Sequence, residues 1–87
     1  MVDFKARIEE MLDELRTDRD ELRVRLHLAK LESSDEWQKL EHQFVKLELK
    51  AREIGGATAE AAEDMAAAAK LLAEEIGDGF KKIARHF

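Results

Sequence analysis

The chain has 87 residues, 40% of them charged, and a formal net charge of −5. A chain this short buries a modest fraction of its surface, which disfavours a self-contained active-site cleft and calls for stabilisation by regular helix packing or oligomerisation. It has no cysteine and no proline, so disulfides, thiolate catalysis and cysteine-based zinc sites are excluded, and long uninterrupted helices are allowed. The acidic balance argues against nucleic acid or an anionic membrane as the main partner.

Met1 to Leu15 mixes Asp3, Lys5, Arg7, Glu9 and Glu10 among its apolar residues, which is the pattern of neither a signal peptide nor a transit peptide. The uncharged run Met65 to Ala69 is far too short to span a bilayer. Cytoplasmic residence is the resulting expectation.

Apolar residues fall at Phe4, Ile8, Leu12, Leu15, Leu22, Leu26 and Ala29, then at Trp37, Leu40, Phe44, Leu47, Ala51 and Ile54. Steps of three and four, with Arg19 and Ser33 filling two apolar positions, make a heptad seam. Between Ala29 and Trp37 the step is four plus four, a stutter that relaxes the supercoil. The seam predicts one long helix over about 3–54, favoured by the strong helix formers on both flanks and the lack of Gly or Pro at Ser33, Ser34 and Asp35. The competing reading starts a new helix at Ser33, which forms a capping box with Glu36 and would give three helices. Leu22, Val24, Leu26 and Leu28 also alternate at period two, but the intervening Arg and His residues and the scarcity of β-branched side chains argue against a strand.

Gly55 and Gly56 predict a tight turn, with Thr58 capping a second helix over 57–87. Acidic residues near its start (Glu60, Glu63, Asp64) and basic ones near its end (Lys81, Lys82, Arg85) suit the helix dipole. The fold class is therefore all-α: a single domain over 1–87, a long helical hairpin assembling as a coiled coil or four-helix bundle. Its predicted hairpin core is Leu28, Leu31, Trp37, Leu40, Phe44, Leu47, Leu72, Ile76, Phe80 and Ile83. In a level hairpin Leu40 faces Leu71, Leu31 faces Phe80, Leu28 faces Ile83 and Val24 approaches Phe87.

A first helix of about 52 residues is roughly 78 Å long, and the second covers only about 46 Å of it. That leaves Phe4, Ile8, Met11, Leu12, Leu15, Arg19 and Leu22 without an intrachain partner, an exposed stripe that predicts an oligomer interface. A homodimer is the simplest assembly, with a tetramer or a second helical protein as alternatives. Arg19 on this seam suits a polar layer that fixes register.

Nothing in the sequence assembles into catalysis. His27, His42 and His86 have Val24, Lys39 and Ile83 three residues before them, where a di-metal bundle wants Glu. Gly77, Asp78 and Gly79 lack the further oxygen ligands of a calcium loop and the Lys of a phosphate loop, and predict a kink or frayed turn. Glu74 and Glu75 are adjacent on a helix and point apart. The expectation is a non-enzymatic structural or interaction protein, with no catalytic residue, metal, cofactor or nucleic-acid partner. Trp37 is expected as a core anchor. The alternative function is peripheral binding to a membrane or lipid surface through the amphipathic segment 80–87, with Phe80, Lys81, Lys82, Ile83 and Phe87 as candidate contacts.

The run Asp35, Glu36, Trp37, Gln38, Lys39, Leu40, the Lys- and Glu-rich helix and small residues after it, and Ile76, Gly77, Asp78, Gly79, Phe80, Lys81 resemble small uncharacterised bacterial coiled-coil proteins of the stress-response or apolipoprotein-like helical type. The resemblance covers about the last 55 residues and implies no catalytic residue.

Overall fold

The computed structural model describes residues 4–31 and 33–85. Among them are three α-helices and no strand: α1 (Phe4–Leu28), α2 (Asp35–Gly55) and α3 (Ala59–Ala84). The all-α class holds, but the continuous helix over 3–54 does not. Such a helix would reach roughly 78 Å, whereas the longest extent here is 44 Å. The chain instead folds back twice. α1 and α2 run antiparallel, as do α2 and α3, which leaves α3 parallel to α1.

The first reversal follows from hydrogen bonding. Lys30 has φ 60° and is the only described residue other than glycine with a positive value. With Lys30 left-handed, its N–H donates to the His27 carbonyl at 3.1 Å, and the Leu31 N–H donates to the Leu26 carbonyl at 2.8 Å. Those two bonds are a Schellman motif, which satisfies the last carbonyls of α1. The Ser34 N–H then donates to the Leu31 carbonyl at 3.1 Å, and the Ser34 hydroxyl caps α2 by accepting from the Trp37 N–H at 3.4 Å. The cap is thus Ser34 and not Ser33, and Asp35 and Glu36 occupy the first turn, where the helix dipole favours them.

The second reversal lies where the sequence places it. The Gly56 N–H donates to the Glu53 carbonyl at 3.1 Å, and the Thr58 hydroxyl caps α3 by accepting from the Ala61 N–H at 3.3 Å. No described glycine has a positive φ. The left-handed residue among those described is Lys30, at the first reversal.

The seam forms one core. Ile8, Leu12, Leu15, Leu22 and Leu26 of α1 meet Trp37, Leu40, Phe44, Leu47, Ala51 and Ile54 of α2 and Ala66, Ala69, Ala73, Ile76, Phe80 and Ile83 of α3. The residues assigned to an oligomer interface therefore face inward: Ile8, Leu12, Leu15 and Leu22 are buried, and Phe4 and Met11 pack against them. The reason is the break itself, which returns α2 and α3 alongside α1. Of the expected hairpin core, Leu28 is 77% exposed and Leu31 48% exposed. Leu28 lies on the side of α1 away from the seam, and Leu31 lies beyond the helix end. Leu72 is half-buried and packs against the core, and the others are buried.

The α2–α3 register also differs from a level hairpin. Trp37, not Leu31, lies against Phe80, with ring centroids 5.6 Å apart and planes tilted by 36°. Leu40 meets Gly79, while Leu71 is exposed. Gly56–Thr58 add no helical rise, and this slides each α2 residue to a later partner on α3. Phe87 lies outside the described residues. Gly77, Asp78 and Gly79 do not fray or end the helix. They sit inside α3, and Gly79 faces Leu40 at a point of close helix approach.

Candidate interaction surface

α1 and α2 are joined across their outer edge by two ion pairs. Arg23 donates to Glu41 Oε1 at 2.7 and 3.1 Å, and Arg16 donates to Glu48 Oε2 at 3.2 Å. The pairs stand one heptad apart on each helix and set its register. Their side chains are partly exposed, so each contributes at most about 1 kcal/mol. Between them Arg19 lays its guanidinium 4.6 Å from the centre of the Phe44 ring, with Arg16 at 6.0 Å. Arg19 also donates to Asp20 at 3.2 Å. The seam cation that suited a polar layer between chains thus covers an aromatic residue of its own core.

Beside these pairs the same face carries apolar side chains in water. Val24 is 61% exposed and Leu28 77%, one turn apart on α1. Val45 and Leu49 are about half exposed; Val45 falls between Glu41 and Glu48 in the rows of α2, and Leu49 follows one turn later. Val24, Leu28, Leu31, Val45 and Leu49 keep steps of four and three along the chain, with Asp35, Gln38 and His42 at the intervening positions. A groove of about 580 Å³ opens between α1 and α2, lined by Arg23, Val24, His27, Leu28, Trp37 and Glu41. A second groove of about 410 Å³ lies between α1 and α3, where Phe4, Ile8 and Met11 meet Ala66 and Ala67.

The remaining singled-out residues fall into place around these features. Trp37 is 1% exposed and forms part of the groove floor. His27 lines the groove, His42 is exposed on α2, and His86 lies outside the described residues. Glu74 and Glu75 are exposed. Among the described residues no group of three or more metal-ligating side chains is placed to hold an ion, and no helix is long and apolar enough to cross a membrane. In the segment 80–87, Phe80 and Ile83 are buried while Lys81 and Lys82 are exposed. Over its described part, residues 80–85, the apolar side is engaged in the core.

The level hairpin gave Val24, Leu28 and Leu31 partners on the second helix. Val45 and Leu49 continue the same pattern, and the steps of three and four are the signal. The chain matches no protein family, no curated protein and no solved structure.

Proposed function

We propose that this is a non-enzymatic interaction protein that acts by helix–helix association with further copies of itself. The observation that carries the reading is the set of exposed apolar side chains Val24 and Leu28 on α1 and Val45 and Leu49 on α2, with Leu31 in the connection between the two helices. Large apolar side chains grouped at helical spacing and rimmed by charge are the usual mark of a surface that meets another helix. The rim here carries both signs, from Arg16 and Arg23 on α1 and Glu41 and Glu48 on α2, which suits a surface of like composition.

Sedimentation equilibrium over a wide range of protein concentrations tests it. A dimer or tetramer that weakens when Leu28 and Val45 are both replaced by Lys supports the reading. A monomer at every concentration overturns it.

A further inference from the structure

We infer that the self-association proposed above proceeds by exchange of α1, with residues 29–34 straightening so that α1 and α2 become one helix and each copy's α1 docks on the α2 and α3 of the other. The inference rests on that reading and gives it a mechanism. Three observations carry it.

The hinge is short, and Lys30 within it is held in an unfavourable conformation. Lys30 adopts the left-handed region, which disfavours any residue with a Cβ. The connection between Leu28 and Asp35 contains neither glycine nor proline, so the main local feature that opposes a continuous helix there is the Ser34 cap. Short connections under strain are the ones that open into swapped dimers.

The stripe is continuous only in the straight form. Val24, Leu28, Leu31, Val45 and Leu49 lie on two helices separated by a reversal, yet they keep heptad steps across it. A single helix over the same residues carries them on one face, opposite the seam Leu12, Leu26, Trp37 and Phe44.

Antiparallel pairing of two straight helices also restores the contacts already seen. The Arg16–Glu48 and Arg23–Glu41 pairs re-form between copies in the same register, because the twofold axis falls at the hinge. Exchange turns the whole packing of α1 on α2 and α3 into an interface.

The test uses the full chain. Lys30→Gly favours the bend and disfavours the helix in both copies of a dimer, so its dissociation constant is expected to rise by about a hundred-fold or more. Ser34→Ala removes the cap of α2 and is expected to tighten the dimer by about tenfold. Since the chain has no cysteine, Arg16→Cys with Glu48→Cys in one chain supplies the only two thiols. At concentrations where the wild type is dimeric, a short bis-maleimide is expected to give a covalent dimer. A covalently closed monomer, with dimerisation indifferent to Lys30→Gly, overturns the exchange while leaving self-association standing. A monomer throughout, Ser34→Ala included, overturns both.

Discussion

Gly79 approaches Leu40 so closely that a methyl group on its Cα would overlap the Leu40 side chain, with Cδ1 at 3.1 Å and Cγ at 3.3 Å. Two residues earlier on the same helix, Gly77 would place that methyl 3.7 Å from Leu15 Cδ2, an ordinary contact. The pair separates helix propensity from packing. Gly77→Ala is expected to stabilise the fold by about 0.5–1 kcal/mol, the usual gain from removing a helical glycine. Gly79→Ala gains the same propensity but displaces a buried leucine, at a cost of about 1–3 kcal/mol, for a net destabilisation of about 1 kcal/mol. Urea unfolding followed by the fluorescence of the single tryptophan measures both. In a Leu40→Ala background the Gly79→Ala penalty is expected to vanish, which a double-mutant cycle reads directly.

Lys30→Gly is expected to stabilise the three-helix bundle by about 1 kcal/mol, because glycine occupies the left-handed region without the clash that Cβ introduces. The comparison is thermal unfolding at a concentration low enough to keep the chain monomeric. An unchanged midpoint would mean that the bend is not where the chain stores strain.

That residue also explains where the sequence was legible and where it was not. Seam positions from Ile8 to Ile54 could be read as one apolar face because burial leaves its period on the sequence, although those from Ile8 to Leu22 were given to a partner chain, and Thr58 was legible as a cap because its chemistry is local. The reversal after α1 was hidden because a lysine adopts the conformation that glycine normally marks, so no breaker stands at the break. Helix propensity points to continuity there while the stutter and the Ser-to-Glu capping pattern point to a break, and the tertiary packing of α1 on α3 decides for the break. The stripe on the α1–α2 face was misassigned for the same reason: Leu28 and Leu31 have a partner in a hairpin and none in a bundle. Gly79 was read as a breaker because a sequence does not reveal how closely a neighbouring helix approaches.

Arg19 is only partly exposed and lies over Phe44, so its methylenes and guanidinium both shield the ring. Arg19→Ala is expected to cost about 1 kcal/mol. Arg19→Met, which keeps the apolar stem, is expected to cost less than half of that. Equal losses in the two variants, measured by urea unfolding, would assign the effect to charge and not to cover.

Leu26 and Leu28 lie two residues apart on α1 and have opposite surroundings, 3% and 77% exposed. The bundle predicts that Leu26→Ala leaves a cavity among α1, α2 and α3 and costs about 2–5 kcal/mol, while Leu28→Ala stays within about 0.5 kcal/mol in the monomer. A level hairpin predicts a large cost at Leu28, because there it packs on Ile83. The same two variants also separate fold from association. Leu28→Ala is expected to weaken the dimer at concentrations where it leaves monomer unfolding unchanged, since its side chain meets only another copy. If Leu28→Ala lowers the unfolding midpoint of the monomer as much as Leu26→Ala does, the end of α1 is packed within its own chain and the α1–α2 face is not the surface through which copies meet.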